Sequence, residues 1–193
     1  MRIHGEEHII RTQGITGRSN YQDYRSTLRV DFKRLCGYCG KPEKLSIKGF
    51  EIDHFVPNSI DADRKTDYTN LVYSCFTCNR KKSGKWPTND KDLHHDGIFG
   101  FIDPASDDYD SHLYRNEAGI IEYRSSVGQY MCDIAFEFCV RPIQEIWKCT
   151  QILSKKKELY DRRQNLNEEQ LREYLVIDHE LDELMEYLFD KRE

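Results

Sequence analysis

Residues 36–82 read CGYCGKPEKLSIKGFEIDHFVPNSIDADRKTDYTNLVYSCFTCNRKK. Two cysteine pairs bound this stretch: Cys36 with Cys39, and Cys75 with Cys78, with 35 residues between the pairs. Two thiolates three residues apart can bind one metal ion, and a second such pair completes a tetrahedral site of four sulfurs. The spacing therefore predicts one structural Zn²⁺ site, closed by four protein ligands.

The gap between the two pairs is longer than in a simple zinc ribbon, which predicts that a folded segment fills it. Metal binding would supply part of the folding free energy of that segment. The alternatives are two unrelated thiol pairs and a redox-active CxxC motif. A disulfide framework is disfavoured, because we expect this chain in a reducing compartment.

Local patterns within and after the gap predict a hairpin followed by a helix. Residues 50–56 have the composition of a short strand that ends before Pro57. Residues 45–48 suggest a preceding strand, with Gly49 at the turn, and residues 69–84 suggest a helix that stops near Gly84. The segment thus predicts the order strand, strand, helix beside the cysteine pairs.

Polar residues at the end of the predicted strand have the chemistry of a catalytic site. Asp53 is a hard oxygen donor, and it precedes the imidazole of His54. Side chains of neighbouring strand residues point to opposite faces, so both can serve one site only at a bulge or a strand end. The amide oxygen of Asn79 could complete a metal pair with Asp53. Positive charge follows on Arg80, Lys81, Lys82 and Lys85, which predicts contacts to nucleic acid.

The segment from Cys36 to Lys82 resembles the HNH endonuclease family, with EIDHFVPNS as the Asp-His strand and NLVYSCFTCNRKK as the helix. It resembles in particular the variants in which asparagine replaces the final histidine, including the HNH domains of RNA-guided CRISPR nucleases. The resemblance implies that His54 is the general base and that Asp53 and Asn79 hold the catalytic metal. It also implies that Asn70 braces the loop that orients His54. Two oxygen ligands favour Mg²⁺ or Mn²⁺ over Zn²⁺ in that second site.

Simpler interpretations of the same residues stay open. Asp53 and His54 could form a satisfied polar pair, and Asn70 could cap a helix. A zinc-stabilised hairpin could also present its basic residues to nucleic acid without cutting it. The joint order and spacing of the motifs favour the catalytic interpretation.

The rest of the chain predicts an α+β protein. Residues 20–35 suggest an N-terminal helix, and together with the zinc-bound ββα-metal core they form a predicted region of residues 1–87. Residues 88–193 form a second region of loops, a hairpin near residues 113–123, and an α-helical C-terminal part that packs on the core. Asn167 and Gln170 have the spacing of a helix capping box.

Charge is distributed unevenly along the sequence. The chain has a formal net charge of −5, but residues 1–85 contain 16 basic and 10 acidic residues, a net of +6. Residues 86–193 contain 13 basic and 24 acidic residues, a net of −11. The half that contains the candidate site is therefore the basic half, as a polyanionic substrate requires.

A further resemblance covers the segment after the motif, which contains Trp86-Pro87 and Phe101-Ile102-Asp103-Pro104. This segment is similar to the HNH proteins of bacterial anti-phage systems, such as Septu-type and retron-associated effectors. The resemblance implies a role in antiviral defence beside an ATPase subunit. A polar N-terminus and the lack of any long apolar run predict a cytoplasmic protein without a membrane span.

The sequence as a whole predicts a metal-dependent endonuclease that hydrolyses phosphodiester bonds of DNA. The first alternative is a non-catalytic zinc module that binds nucleic acid. The second is the same chemistry directed at RNA, because recognition of the 2′-hydroxyl leaves no motif in a sequence of this kind.

Overall fold

The computed structural model describes residues 1–190 of the chain. The chain forms two compact units, Met1–Arg141 and Pro142–Glu193. Helices and two short antiparallel sheets share the described residues, so the predicted mixture of helix and strand is confirmed. None of the described helices is both long enough and apolar enough to cross a membrane.

The first helix of the chain is shorter than the one predicted over residues 20–35. A 3₁₀ turn, Tyr21–Tyr24, leads into helix α1, Arg25–Asp31. The side chain of Asn20 accepts a hydrogen bond from a backbone N–H of the 3₁₀ turn and caps its start. The helix ends early because Lys33 and Arg34 have φ angles of 55° and 58°, outside the helical region.

A hairpin and a helix lie between and beside the cysteine pairs. Strand β1, Phe50–His54, is antiparallel to strand β2, Leu71–Cys75, and helix α2, Phe76–Lys82, follows β2 directly. The register pairs Phe50 with Cys75 and His54 with Leu71. This register places the second cysteine pair at the junction of β2 and α2.

Two predictions about this hairpin are wrong. The predicted partner strand at residues 45–48 does not form, and a 3₁₀ turn, Glu43–Leu45, lies there instead. The partner of β1 is β2, from the segment that was predicted as the first half of a helix over residues 69–84. All five residues of β2 are buried, so its sequence shows no polar–apolar alternation that would distinguish a strand from a buried helix.

A second hairpin follows in the same unit and agrees with its prediction. Strand β3, Leu113–Arg115, pairs with strand β4, Ile121–Tyr123, in antiparallel register. Short helices flank this hairpin: α3, Tyr109–His112, and α4, Ser126–Gln129, which continues into a π-helical turn, Tyr130–Ala135. The hairpin was predicted in a region separate from residues 1–87, but it lies within the unit Met1–Arg141.

The second hairpin attaches to the first cysteine pair through a buried arginine. The Arg115 side chain is 2% exposed, and its guanidinium donates to the carbonyl oxygens of Cys39, at 2.9 Å, and of Gly119, at 2.5 Å. The hydroxyl of Tyr109 donates to the carbonyl oxygen of Tyr38 at 2.8 Å. Buried polar groups of this kind are stable only when hydrogen-bonded, so they fix the position of the cysteine loop.

The second unit contains two long helices. Helix α5, Ile143–Asp161, and helix α6, Glu168–Asp190, are antiparallel, since Cys149 contacts Met185 and Lys156 pairs with Asp178. The predicted capping box is confirmed at the start of α6. The backbone N–H of Gln170 donates to Asn167 Oδ1 at 2.8 Å, and that of Asn167 donates to Gln170 Oε1 at 3.1 Å.

Candidate metal and active site

The four cysteines of the two pairs meet in the interior of the first unit. All four are buried, and their sulfur atoms lie within 4.8 Å of one another. A tetrahedral zinc site with bonds of roughly 2.3 Å separates its sulfurs by roughly 3.8 Å. The measured distance between the sulfurs of Cys39 and Cys75 is 3.9 Å, so the cluster fits such an ion. Among the described residues, this is the cluster in which three or more His, Cys, Asp or Glu side chains could share one metal ion.

An arginine from the end of the first unit faces this cluster. Nη2 of Arg141 lies 3.3 Å from the sulfur of Cys78, 3.9 Å from that of Cys39 and 4.0 Å from that of Cys75. The other guanidinium nitrogen donates to the carbonyl oxygen of Phe136 at 3.2 Å. Four thiolates around one Zn²⁺ have a net charge of −2, and a guanidinium at this distance offsets part of it.

The loop that contains the first cysteine pair is packed on the N-terminal segment. The imidazole of His4 is buried, and its Nε2 donates to the carbonyl oxygen of Gly37 at 2.7 Å. Burial lowers the pKa of His4, and the hydrogen bond to the carbonyl oxygen of Gly37 opposes that shift. Gly40 has a φ of +67° and its Cα faces the carbonyl oxygen of Ile3 so closely that a Cβ there would lie 2.4 Å from it.

Strand β1 and helix α2 face each other through two pairs of side chains. Glu51 and Asp53 lie on one face of β1, and Asn79 and Lys82 lie on one face of α2. Asn79 Nδ2 donates to Glu51 Oε2 at 2.5 Å. Lys82 Nζ forms an ion pair with Asp53 Oδ2 at 3.2 Å. The two residues that the sequence assigned to a catalytic metal, Asp53 and Asn79, therefore lie on facing surfaces, each with another direct partner.

The Asp53 carboxylate is buried and strongly held. It is 6% exposed, and its Oδ2 accepts a hydrogen bond from the hydroxyl of Tyr38 at 2.6 Å in addition to the ion pair with Lys82. Burial raises the pKa of Asp53, while Lys82 and Tyr38 oppose that shift. Burial and the neighbouring Asp53 raise the pKa of Tyr38 well above its usual value, so its hydroxyl remains a donor. Asp53 Oδ1 accepts no hydrogen bond from the described residues.

The imidazole of His54 lies at the end of β1, where a strand end was required for both side chains to serve one site. Its Nε2 lies 2.9 Å from the carbonyl oxygen of Lys65. A carbonyl only accepts, so Nε2 carries the proton and the neutral ring has its lone pair on Nδ1. The ring of Tyr21 packs edge-on against the imidazole, with 4.8 Å between the ring centroids. His54 therefore presents Nδ1 as a proton acceptor.

Asn70 connects the two ends of the long loop that joins β1 and β2. Its Oδ1 accepts from the backbone N–H of Val56 at 2.8 Å, and its Nδ2 donates to the carbonyl oxygen of Val56 at 3.0 Å. The same Nδ2 donates to the carbonyl oxygen of Arg64 at 3.4 Å, next to the carbonyl that contacts His54. These contacts tie the backbone at Val56, two residues after His54, to the backbone at Arg64.

The four basic residues predicted to contact nucleic acid differ in exposure. The side chain of Arg80 is 68% exposed and lies 3.6 Å from Glu51, and Lys85 is also exposed. Lys81 is half-buried and pairs with Glu137 at 2.5 Å. Lys82 is 0% exposed, and its ammonium donates to the carbonyl oxygen of His54 at 2.8 Å besides pairing with Asp53. The prediction of a nucleic-acid contact is thus contradicted for Lys82, because its charge neutralises an internal carboxylate.

Sequence reasoning missed four groups of this site. Glu51 received no role, although its place two residues before Asp53 puts it on the same strand face. Tyr38, Arg141 and the carbonyl oxygen of Lys65 were also missed. Their contacts depend on tertiary structure, and no local pattern in the sequence indicates them.

Comparison with known proteins agrees with this geometry. The model of the HNH endonuclease family matches residues 36–85. The matched range begins at the first cysteine and includes β1, β2 and α2. No curated protein matches the sequence at a significant level. The residues that are similar to HNH endonucleases, a similarity that suggests nuclease activity, thus lie within the first unit.

Proposed function

We propose that this chain is a metal-dependent endonuclease of the HNH, ββα-metal type, and that it hydrolyses phosphodiester bonds of DNA. The observation that carries the proposal is the state of His54 at the end of β1. Its Nε2 is bound to the carbonyl oxygen of Lys65, and Asn70 ties the backbone of the loop after β1, so the basic Nδ1 has a fixed direction. If His54 only formed a hydrogen-bonded polar pair with Asp53, its imidazole would not need to be oriented by Lys65 and Asn70.

His54 acts as the general base in the proposed reaction. Nδ1 accepts the proton of the attacking water, and the resulting imidazolium is stabilised through the Nε2 contact to Lys65. A positioned general base typically contributes about 10²–10⁴ in rate. The braced loop keeps the imidazole oriented while the proton moves, which is the contribution we assign to Asn70.

Asp53 and Asn79 would hold the catalytic cation between β1 and α2. When bound, a divalent cation supplies charge stabilisation at the scissile phosphate and the leaving oxygen. Glu51, already in contact with Asn79, adds a further oxygen donor on the same strand face. The donors are carboxylate and amide oxygens, which fit Mg²⁺ or Mn²⁺ better than a soft metal. The four cysteines would hold the separate structural Zn²⁺.

Arg80 and Lys85 are the residues that we assign to phosphate contacts. Both are exposed, and Arg80 lies one residue after Asn79. Lys81 can contribute once its pairing with Glu137 is exchanged for a phosphate. Each such contact strengthens binding without regard to base sequence and weakens it with added salt.

The biological setting that we propose is bacterial anti-phage defence in the cytoplasm, with an ATPase subunit as partner. The support for it is the resemblance of the segment after the nuclease motif to the HNH proteins of such systems. That segment packs in the first unit, where the rings of Trp86 and Phe101 stack with centroids 6.0 Å apart. Co-purification of an ATPase with the tagged chain from its native host would test this setting.

The proposed activity is tested by incubating the purified protein with plasmid DNA and, separately, with RNA in the presence of Mg²⁺ or Mn²⁺. We expect DNA cleavage, and we expect His54→Ala to lose at least about 100-fold in rate. His179→Ala is the matched control, because that imidazole is exposed on α6 and its one ion-pair contact among the described residues is to Glu183. Wild-type cleavage rates in His54→Ala would overturn the role of His54, and cleavage of RNA alone would reassign the substrate.

One observation favours a second candidate function, a zinc-stabilised module that binds nucleic acid without cutting it. Asp53 already has a buried counter-charge in Lys82, so the carboxylate is neutralised without a metal. Under this alternative, the wild-type chain binds DNA with a salt-dependent affinity but shows no cleavage with any divalent cation. The same incubation, run alongside a DNA-binding titration, distinguishes the two functions.

A further inference from the structure

Tyr38 belongs to the first cysteine loop, yet its hydroxyl reaches the proposed catalytic carboxylate. It lies between Cys36 and Cys39 and is 0% exposed. Its ring packs against Phe136 with centroids 4.7 Å apart, and its carbonyl oxygen accepts the hydroxyl of Tyr109. The side chain is therefore fixed both at its ring and at its backbone.

The hydroxyl of Tyr38 makes a short hydrogen bond to a charged acceptor. The distance from this oxygen to Asp53 Oδ2 is 2.6 Å, which is the range of O–H···O⁻ bonds. Lys82 Nζ approaches the same oxygen at 3.2 Å. Both donors of the Asp53 carboxylate therefore act on Oδ2, and Oδ1 accepts no hydrogen bond from the described residues.

The two donors come from the two cysteine-bearing segments. Tyr38 lies within the first pair, and Lys82 lies on α2, four residues after Cys78. The four sulfurs hold these segments together, so a metal bound to the cysteines determines where the two donors lie. The orientation of the Asp53 carboxylate thus depends on the thiolate site.

From this geometry we propose that Tyr38 is a positioning residue, which occupies Asp53 Oδ2 so that Oδ1 is directed to the catalytic divalent cation. This inference rests on the proposed function for its cation site. Through Tyr38, the affinity for the second metal therefore depends on whether the cysteine site is intact. Tyr38 itself touches neither the cation nor the substrate.

The test measures Mn²⁺ binding to the zinc-loaded protein, without nucleic acid, in wild type and in Tyr38→Phe. Loss of a group that orients a metal ligand typically costs about 10–100-fold in metal affinity, and we expect a loss of that size in the Mn²⁺ dissociation constant. Tyr73→Phe is the matched control, because Tyr73 is equally buried and its hydroxyl donates to another carboxylate, that of Glu43, at 2.7 Å. Its Mn²⁺ affinity should stay within about twofold of wild type.

A double-mutant cycle, with the zinc content of each variant measured, distinguishes a positioning role of Tyr38 from a general loss of structure. If Tyr38 acts through Asp53, Tyr38→Phe adds no further loss of Mn²⁺ affinity to Asp53→Asn. An effect that persists in the Asp53→Asn background would overturn the proposal, even where Tyr38→Phe also loses zinc. Unchanged Mn²⁺ affinity in Tyr38→Phe, or no Mn²⁺ binding by wild type, would overturn it as well.

Cleavage and Mn²⁺ binding, measured together, distinguish a wrong role for Tyr38 from a wrong proposed function. A wild-type chain that cleaves DNA, with a Tyr38→Phe variant of unchanged Mn²⁺ affinity, rejects the positioning role alone. A wild-type chain that binds Mn²⁺ but cleaves neither DNA nor RNA rejects the nuclease and leaves the role of Tyr38 to be decided by the binding data.

Discussion

Lysines in a basic run usually face solvent, and Lys82 lies in the run Arg80-Lys81-Lys82. Lys82 is instead buried, because α2 is only seven residues long and packs the face that carries Lys82 against β1. Asp53 and the carbonyl oxygen of His54 satisfy the buried ammonium there. The sequence predicts the charges of both residues but not their pairing, since 29 positions separate them and the pair forms only when β1 meets α2.

Lys82→Met should destabilise the protein strongly. Removing one partner of a buried ion pair leaves the other charge uncompensated, which typically costs about 3–5 kcal/mol. Asp53 is 6% exposed and has no other cationic partner within ion-pair distance among the described residues. Urea unfolding should therefore show a midpoint far below that of wild type, and combining Lys82→Met with Asp53→Asn should restore part of the loss.

Lys81→Met is the control for this prediction. Lys81 precedes Lys82 and also pairs with a carboxylate, Glu137, but its side chain is 34% exposed. An exposed pair of this kind contributes about 0–1 kcal/mol. If Lys82→Met cost no more free energy of unfolding than Lys81→Met, the Lys82–Asp53 pair would have no structural role.

Elements with local signals were predictable, and those defined by distant partners were not. The capping box at Asn167 and the hairpin of β3 and β4 depend on residues a few positions apart, and both form. Strand β2 depends on β1, whose residues lie about twenty positions earlier, and it is buried on both faces. Its apolar run fitted a helix as well as a strand, and only the pairing with β1 decides between them.

The cysteine site was predictable for the same reason. Two thiolates three residues apart indicate a metal ligand pair before any tertiary structure is known, and the four sulfurs do meet. The surroundings of the first pair were not predictable. Gly37 and Gly40 bracket Tyr38 and Cys39, and the space at Gly40 is taken by the N-terminal segment, 37 positions earlier in the chain.

Gly40→Ala should therefore destabilise the first unit. Its φ of +67° costs an L-residue about 1–2 kcal/mol, and the added Cβ would lie 2.4 Å from the carbonyl oxygen of Ile3. Overpacking of this kind typically adds about 1–3 kcal/mol. Thermal unfolding followed by circular dichroism should show the lowered midpoint.

Gly49→Ala separates the cost of the positive φ from the cost of the clash with Ile3. Gly49 has a similar φ, +71°, but a Cβ there meets nothing within 4 Å. Its cost should be limited to the backbone strain, about 1–2 kcal/mol. Equal losses for Gly40→Ala and Gly49→Ala would show that the N-terminal segment does not press on the cysteine loop.

At the scale of the whole molecule, the first unit extends well beyond the predicted nuclease region of residues 1–87. Residues near its end return to the core: Glu137 pairs with Lys81, and the carbonyl oxygen of Ala135 accepts from Lys85 at 3.3 Å. These contacts join positions about fifty residues apart. A sequence without repeats or a marked linker gives no signal for them, so the unit boundary at Arg141 could not be placed from the sequence.

Arg141 is the last residue of that unit, and its side chain connects the end of the unit to the cysteine site. Because its guanidinium lies 3.3–4.0 Å from three sulfurs, Arg141→Met should weaken zinc retention by about 10–100-fold. Competition with a chromogenic chelator measures this dissociation constant directly. Arg141→Lys keeps the charge but lacks the planar fork, so it should fall between wild type and Arg141→Met.

Arg124→Met provides the comparison, since this arginine lies in the same unit over the ring of Tyr114, at 4.6 Å, and is exposed. Its zinc affinity should equal that of wild type. Chelation removes the cation that holds the four thiolates together, and the cysteines can then take up protons, which removes the negative charge that Arg141 faces. Stripping the metal should then unfold Met1–Arg141 cooperatively, and a metal-free protein with unchanged urea midpoint would contradict it.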